Sequence, residues 1–232
     1  TLKELCRMYR IKSCIIQFTR TLSPLGEQRM SQFNIGAITH LIESLRTFPQ
    51  ETKIIVVTNP VDEITNYLRI MLSKENVLGF GLELDTKRYE KVLGKKVYCI
   101  GTHGKAIPLI NSKNEKEYNQ LYKKIDNDLL QYIREHGIPH KMAGINFREF
   151  FEKLNSAKKE VIHVSFYLKN SFLDAKDISI SLPCEVKQGK VLSIAKIKVN
   201  EIEKKRFIKS VNELKKSISY IIETHKKLIE YK

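Results

Sequence analysis

The sequence predicts an α/β fold in which part of a parallel sheet is joined to an α+β domain. The first third of its 232 residues alternates short, apolar, β-forming runs with helical patterns, and this alternation is typical of parallel βαβ units. The second half places several short strands between two long amphipathic helices, which is typical of α+β structure. No repeat and no low-complexity linker interrupts the sequence.

Two strands and two helices are predicted in the first part of the chain. The apolar runs Ser13–Phe18 and Lys53–Val57 are predicted to be buried strands. Residues 29–48 carry apolar side chains at helical spacing until Pro49, and a second helix follows Pro60. Parallel sheets gather functional groups at the carboxyl ends of their strands. We therefore expect such groups in the loops that follow Phe18 and Val57.

The next part of the chain combines a turn with a long helix. Strands are predicted at Val97–Ile100 and Ala106–Ile110, on either side of a His-Gly turn. A helix is predicted from Glu117 to His136, and Gly137 ends it. One face of this helix is apolar, so we expect that face to pack inward.

The last part of the chain predicts antiparallel strands and a final helix. The strands are Val161–Leu168, Ile178–Leu182 and Val191–Ile194, and the last two are joined around Gln188-Gly189. The segment Asn200-Glu201-Ile202-Glu203 has the pattern of a capping box at the start of an amphipathic helix.

Composition and charge exclude several classes of protein. The net charge is +15, but the lysines are spread along the chain with acidic residues close by, which favours a solvated surface over a nucleic-acid-binding one. No apolar run approaches the roughly 18–20 residues of a membrane-spanning helix, and the first residues lack the apolar core of a signal peptide. We expect a cytoplasmic protein that does not bind membranes, and a basic nucleic-acid binder stays as a third, less favoured alternative.

The four cysteines indicate neither disulfides nor a metal site. They are far apart, none forms a C-x-x-C pair, and each lies in or beside an apolar stretch. Buried, reduced thiols are therefore expected. The four are Cys6, Cys14, Cys99 and Cys184.

Five polar residues lie where predicted strands and helices pass into loops. Each has an ordinary structural explanation when it is taken alone. An Asn before Pro is common in turns, Asp85 has the pattern of a helix N-cap, and His103 between two glycines is a typical turn residue. The five residues are Arg29, Asn59, Asp85, Arg88 and His103.

Together and in this order, the segments around these residues resemble the L-lactate/L-malate dehydrogenase family. Thr58–Asp62 is identical to the family's T-N-P-V-D, and Gly79–Arg88 looks like its G-x-G-x-x-L-D-x-x-R. Gly101–Gly104 resembles G-E-H-G, and Gly26–Arg29 is similar to the mobile-loop motif G-E-[ST]-R. The resemblance extends from about Ser13 to the C-terminal helix.

The resemblance implies a domain organisation and an activity. Residues 1–82 would be the residual half of a dinucleotide-binding domain, with a partial Rossmann-type parallel sheet. Residues 83–232 would be a substrate-binding and catalytic domain of the lactate/malate dehydrogenase type. The implied reaction interconverts a 2-hydroxy acid and a 2-oxo acid by hydride transfer with NAD. Relatives form dimers or tetramers, so a homo-oligomer is expected.

The resemblance also implies a role for each matching residue. His103 would donate and recover the proton of the substrate oxygen, and Asp85 would hold the other N–H of the imidazole. Arg88 would clamp the substrate carboxylate with two parallel hydrogen bonds. Arg29, on a closing loop, would polarise the substrate carbonyl. Asn59 would orient both the carbonyl and the nicotinamide.

The cofactor site departs from the family pattern. Val57 and Phe80 would line the cofactor together with Asn59, and Phe80 stands where the family often has serine. The sequence contains no G-x-G-x-x-G, the turn that grips the pyrophosphate. It begins about where the family's fourth strand would, so we expect an excerpt of a longer protein or a short gene product. In either case Ser13–Phe18 would be an exposed sheet edge.

Other departures leave two alternatives open. Arg20 stands close to where the cofactor would lie, and Thr102 and Lys105 replace acidic residues beside His103. The chain is therefore either a dehydrogenase or a non-catalytic module of the same fold that has lost NAD binding. The substrate stays open between lactate, malate and other 2-hydroxy acids. The family has glutamine at one position in lactate enzymes and arginine there in malate enzymes, and Ser23, which aligns nearest to it, is neither. Lys141 aligns only loosely with the far wall of the substrate pocket.

Overall fold

A computed structural model describes residues 13–16, 38–39, 41–137 and 139–230. Residues 41–46 are helical and belong to the helix predicted for residues 29–48. The elements, in chain order, are β1 (Ser13–Ile16), β2 (Lys53–Val56), α1 (Val61–Leu72), β3 (Val77–Gly79), α2 (Leu82–Leu93), β4 (Cys99–Thr102), β5 (Lys105–Pro108), α3 (Glu115–His136), α4 (His140–Asn155), β6 (Glu160–Leu168), β7 (Ile178–Lys187), β8 (Lys190–Ile194) and α5 (Glu201–Glu230).

The chain divides into two compact units, each built from more than one stretch of sequence. Unit 1 comprises Thr1–Gly79, Ser165–Ile180 and Val211–Lys232, and unit 2 comprises Phe80–Val164 and Ser181–Ser210. Strands β6 and β7 and helix α5 each contribute residues to both units.

Unit 1 contains the predicted parallel strands. β1 pairs with β2 and β2 with β3, all parallel, so that Ile16 lies beside Val56 and Val56 beside Gly79. Along its other edge, β3 pairs antiparallel with β6, through Gly79 and Ser165. The parallel sheet is thus confirmed. Strand β3 was not predicted, because its three residues are too few to show a pattern.

The core of unit 1 forms between this sheet and the apolar face of α1. Tyr67 and Leu68 are fully buried, as the periodicity of the helix predicts. β1 is an edge strand among the described strands, and Ile15 is 46% exposed while Ile16 is buried. The predicted strand is therefore buried on one side only.

Gly79 permits the close approach of three elements in unit 1. A Cβ atom at this position would lie 2.6 Å from Oγ1 of Thr65 and 2.8 Å from both Cγ1 of Val61 and Cβ of Ser165. Because real Cβ atoms do not approach other atoms so closely, α1 and β6 can pack on β3 only if residue 79 is glycine.

Two hairpins organise the strands of unit 2. β4 and β5 are antiparallel, with Thr102 paired to Lys105, and β4 pairs with β7 through Gly101 and Ser181. β7 and β8 form the hairpin predicted around Gln188-Gly189, whose φ values of 49° and 75° are both positive. Two positive φ angles are the signature of the turn that matches the twist of a two-residue hairpin.

Both predicted long helices are present, and their ends explain their bounds. The side chain of Asn114 accepts a hydrogen bond from the backbone N–H of Lys116, and Gly137 ends α3 with φ 76°. At α5 the capping box is complete. Glu203 accepts from the N–H of Asn200, and Asn200 accepts from the N–H of Glu203, both at 2.9 Å.

Helix α4 was missed by the sequence interpretation. Phe147, Phe150, Phe151 and Leu154 recur at helical spacing, and Phe150 and Leu154 are fully buried. This periodicity is sufficient to predict the helix.

Candidate active site

Three of the predicted site residues come together in unit 2. Nδ1 of His103 lies 2.7 Å from Oδ2 of Asp85. Nη1 of Arg88 donates to the other carboxylate oxygen, Oδ1, at 2.8 Å. Asp85 thus holds an imidazole on one oxygen and a guanidinium on the other.

Helix α2 determines where Asp85 and Arg88 lie. The helix begins at Leu82, so Asp85 is in its first turn, where the helix dipole stabilises a negative charge. Arg88 follows one turn later and is therefore on the same face. The possible role of Asp85 as an N-cap is not borne out, because the N-cap position is occupied by Gly81.

The β4–β5 hairpin determines where His103 lies. Since Thr102 pairs with Lys105, His103 and Gly104 are the two residues of the loop. Gly104 has φ +82°, which glycine adopts without strain, and its N–H donates to Oδ2 of Asp85 at 2.9 Å. The backbone of the turn and the histidine side chain are therefore held by the same carboxylate oxygen.

Gly81 leaves room for the histidine ring. A Cβ atom at residue 81 would lie 2.7 Å from both Cβ and Cγ of His103. Any other residue at this position would displace His103 or the start of α2. Sequence reasoning did not single out Gly81, although the glycine pair in Gly79–Arg88 was visible as part of a motif.

Asp85 is an anion in this environment. Its side chain is only 6% exposed, and burial by itself would raise the pKa of this carboxyl. The hydrogen bonds and charges of His103 and Arg88, together with the N–H of Gly104, outweigh burial and hold the pKa of Asp85 below its usual value. An ionised carboxylate only accepts hydrogen bonds, so Nδ1 of His103 carries the proton that points to Asp85.

The arrangement can orient an imidazole and bind an anion. With Nδ1 committed to Asp85, the ring exchanges protons through Nε2. The side chain of Arg88 is 29% exposed, and a guanidinium has five N–H donors. Its bond to Asp85 therefore leaves donors that can bind a planar carboxylate.

The remaining predicted residues are placed separately. In unit 1, Asn59 is exposed beyond the carboxyl end of β2 and Val57 is half-buried, with its N–H bonded to the carbonyl of Ile16 at 2.9 Å. In unit 2, the ring of Phe80 is 1% exposed and packs against two other phenylalanines. Arg29 lies outside the described residues, as do Arg20 and Ser23.

A second carboxylate–imidazole pair in unit 2 was not predicted. Oε2 of Glu83 lies 2.8 Å from Nδ1 of His163, and both side chains are almost completely buried. The two residues are 80 positions apart. No local pattern in the sequence connects them, so only the fold shows the pair.

The prediction of buried thiols is confirmed for two described cysteines, whereas Cys14 is only half-buried and Cys6 lies outside the described residues. Cys99 and Cys184 are buried free thiols, and burial raises the pKa of both. In the described part of the chain, His, Cys, Asp and Glu nowhere form a group of three that could hold a metal ion. None of the described helices is long and apolar enough to cross a membrane.

Comparison with a protein-family model identifies the second part of the chain. Residues 83–225 match the model for the lactate/malate dehydrogenase α/β C-terminal domain. The match covers more than half of the 232 residues and contains Asp85, Arg88 and His103.

Curated relatives extend the similarity beyond that domain. The L-lactate dehydrogenase of Shouchella clausii is 28% identical over 230 residues, covering 86% of this chain and 70% of that enzyme. An L-lactate dehydrogenase of Clostridium botulinum is 25% identical over 228 residues, covering 84% of this chain and 71% of the enzyme.

Solved structures share the fold at lower identity. The apo malate dehydrogenase of Picrophilus torridus superimposes with a TM-score of 0.77 at 21% identity, covering 93% of this chain and 76% of that one. The NADH complex of the Archaeoglobus fulgidus malate dehydrogenase has a TM-score of 0.78 at 18% identity, covering 90% and 76%. The match of residues 83–225 to the family model, together with the shared fold, shows that this chain belongs to the lactate/malate dehydrogenase family.

Proposed function

We propose that the chain carries out the chemistry of an NAD-dependent 2-hydroxy-acid dehydrogenase, interconverting a 2-hydroxy acid and a 2-oxo acid. One observation carries the proposal. A buried carboxylate, Asp85, binds Nδ1 of His103 with one oxygen and Arg88 with the other. A proton donor and a carboxylate-binding group are thereby held in one fixed arrangement.

His103 supplies the proton. Reduction of a 2-oxo acid places negative charge on the carbonyl oxygen, and Nε2 of His103 would donate a proton there. The imidazole that remains keeps its Nδ1–H bond to Asp85. In the opposite direction Nε2 takes the proton of the hydroxyl group, and Asp85 stabilises the imidazolium that forms.

Arg88 binds the substrate carboxylate. Two parallel N–H groups of a guanidinium match the two oxygens of a carboxylate, and a lysine lacks this geometry. Because Asp85 also holds Arg88 at 2.8 Å, the bound acid would be oriented relative to His103. We propose that Arg29 polarises the substrate carbonyl as charge develops on its oxygen.

NAD, when bound, supplies or accepts the hydride. The exposed amide of Asn59 at the end of β2 fits the nicotinamide, because an amide can both donate and accept hydrogen bonds. Val57 precedes it, and we propose that it borders the same site. Phe80 is almost completely buried, backbone and ring alike, so we propose that it supports the cofactor site from the core.

The proposal extends to the substrate, the oligomeric state and the cellular location. We propose a small 2-oxo acid of the pyruvate or oxaloacetate class, because Arg88 requires a carboxylate next to the carbonyl that His103 protonates. We also propose that the protein acts as a homo-oligomer, a dimer or tetramer, in the cytoplasm.

A second candidate is a non-catalytic module of the same family. Departures from the family pattern favour it, namely Phe80 in the cofactor site and Thr102 and Lys105 beside His103. In that case the Asp85 arrangement would bind a small acid without reducing it.

Fluorescence titration with NADH separates the two candidates. We expect micromolar binding that tightens when pyruvate or oxaloacetate is present. In Arg88→Ala the tightening should disappear, while NADH itself still binds. Arg134→Ala, an exposed arginine on α3, is the matched control and should behave as the unmodified chain.

The opposite outcome is equally clear. If millimolar NADH does not bind, with or without a 2-oxo acid, the dehydrogenase proposal for this chain is wrong. Binding of a labelled 2-oxo acid that is lost in Arg88→Ala would then support the non-catalytic module.

A further inference from the structure

The buried Glu83–His163 pair joins helix α2 to strand β6. Oε2 of Glu83 accepts a hydrogen bond from the backbone N–H of His163 at 2.9 Å and lies 2.8 Å from Nδ1 of the same residue. The side chains of Glu83 and His163 are 10% and 6% exposed. Side chains that are so deeply buried need protein partners for their polar atoms, and these two residues supply one to each other.

A third contact fixes where the proton lies. The backbone N–H of Cys99 in β4 points to Nε2 of His163 at 3.2 Å. A backbone N–H is only a donor, so Nε2 must be the unprotonated nitrogen and Nδ1 carries the proton. His163 is therefore a neutral ring that donates to Glu83 and accepts from Cys99.

Glu83 is the charged member of the pair. Burial by itself would raise the pKa of Glu83, but its interactions with His163, together with a smaller contribution from Lys153 on α4, outweigh burial and lower it. A buried anion thus accepts two hydrogen bonds from one residue, and such charge-assisted bonds are short and strong.

His163 consequently connects the same two elements that carry the predicted catalytic pair. Glu83 and Asp85 are two residues apart on α2, and Cys99 begins the strand that leads to His103. The contacts form a closed circuit. It runs from α2 through Glu83 and His163 to Cys99 in β4, along β4 to His103, and through Asp85 back to α2.

We propose that Glu83 and His163 are positioning residues for the dehydrogenase site, and that they set Asp85 against His103 by fixing the separation of α2 and β4. The inference rests on the proposed function for its effect on turnover. Neither residue needs to contact the substrate. A hydrogen bond weakens steeply with length and angle, and a productive site tolerates displacements of only about 0.5 Å. Two parallel links between α2 and β4 restrict such displacements more than one.

Other charged and titratable groups also surround the pair, and they belong in any account of its titration. They come from α2, from the segment that leads into β4, and from α4. They are Lys87, Glu90, Lys96, Tyr98, Cys99 and Lys153.

Three substitutions break the links one at a time. Glu83→Gln removes the charge from the pair. His163→Asn places an amide nitrogen near the position of Nδ1, which keeps a donor for Glu83 but leaves the N–H of Cys99 without its acceptor. His163→Gln does the opposite. Its amide oxygen lies near the position of Nε2 and keeps an acceptor for the N–H of Cys99, but Glu83 loses its side-chain donor.

The matched control is Glu117→Gln. This substitution makes the same chemical change, but Glu117 is exposed in the first turn of α3 and is not among the side chains that surround the pair. It should leave both the spectra and the turnover unchanged.

The primary measurement is independent of activity. The unmodified chain and the four variants are labelled with ¹⁵N-histidine, and the imidazole nitrogens are followed by NMR as the pH is changed. We expect His163 to show the neutral tautomer protonated at Nδ1. We expect the titration midpoint of His103 to fall by about 0.5–1 pH unit in Glu83→Gln, His163→Gln and His163→Asn, because a loosened Asp85 stabilises the imidazolium less.

Turnover is the second measurement. With a 2-oxo acid and NADH, kcat should fall about tenfold in Glu83→Gln and His163→Gln while KM changes less than about twofold, because positioning acts on the reacting geometry. His163→Asn should be affected to a similar extent, because loss of the link to Cys99 opens the same circuit.

The outcomes are distinguishable. If His103 titrates identically in all five proteins, the positioning role is wrong, whatever the activity. If the unmodified chain has no turnover but the His103 midpoint shifts as expected, the proposed function fails and the coupling stands. A variant that circular dichroism shows to be unfolded is set aside, and the folded variants then decide the question by the same shift of the His103 midpoint.

Discussion

The replacement Asp85→Asn tests the centre of the proposed mechanism. The carboxylate accepts three hydrogen bonds, from His103, Arg88 and Gly104. An asparagine offers one oxygen and one NH₂ group in the same volume. Whichever way the amide turns, the NH₂ group faces at least one donor, so at least one buried hydrogen bond is lost.

The magnitude follows from these contacts. A hydrogen bond to a charged group contributes about 1.5–3 kcal/mol. Loss of the charge that stabilises the imidazolium of His103 at 2.7 Å should therefore cost about 2–3 kcal/mol in the transition state. This corresponds to a decrease in kcat of about 30- to 150-fold.

The assay is steady-state oxidation of NADH with a 2-oxo acid, followed by absorbance across a pH series. Asp126→Asn, an exposed aspartate on α3, is the matched control and should retain full activity. If Asp85→Asn keeps kcat within about threefold of the unmodified protein, the role assigned to Asp85 is refuted.

The same residue predicts an effect of pH on stability. Because the folded protein lowers the pKa of Asp85 below the usual value of 3.8, the carboxylate stabilises the fold at pH values above 3.8. This contribution is lost as the pH falls through the folded-state pKa. Acid unfolding curves should show this loss in the unmodified chain, and Asp85→Asn should lack this component.

Three further substitutions test the packing around the site and the final helix. Gly81→Ala should lower kcat by about tenfold without unfolding the protein, because its Cβ would lie 2.7 Å from the side chain of His103; an unchanged kcat would show that the turn adapts. Gly144→Ala, in α4 with open space at its Cβ, should instead stabilise the protein by about 0.5–1 kcal/mol in urea unfolding, and a loss of stability would contradict the described packing. Glu203→Gln should destabilise by about 1–3 kcal/mol, because Glu203 is fully buried and accepts from a cap, a tyrosine and a loop N–H; the exposed Glu201→Gln is the control, and equal stability of the two variants would argue against the capping box.

The sequence predicted those parts of the fold that are specified by local periodicity. The stripe of Ile64, Tyr67 and Leu68 predicted α1 because helix faces repeat every 3.6 residues. Asn200 and Glu203 predicted the start of α5 because a capping box is complete within four residues. β3 escaped prediction for the opposite reason, since it consists of three residues whose strand character depends on pairing with β2 and β6.

The candidate site was predicted only in part. The family motifs predicted Asp85, Arg88 and His103 as site residues, and Asp85 contacts both of the others in the structure. Glu83 lies inside one of these motifs, yet its partner His163 is 80 residues away. A pair of that kind arises from the tertiary fold, and a single sequence without alignment contains no record of it.

The common origin of Asp85 and Arg88 on α2 has a consequence for tolerance to motion. The residue that orients the proton donor and the residue proposed to hold the substrate are one helical turn apart, so a shift of α2 moves both by the same vector. The position of Asp85 relative to Arg88 therefore stays nearly the same when the helix moves, and the two residues are displaced together. The quantity that such motion changes is the distance from this rigid pair to the tip of the β4–β5 hairpin. Thermal motion of α2 therefore changes the site mainly through one distance, the separation of Asp85 and His103.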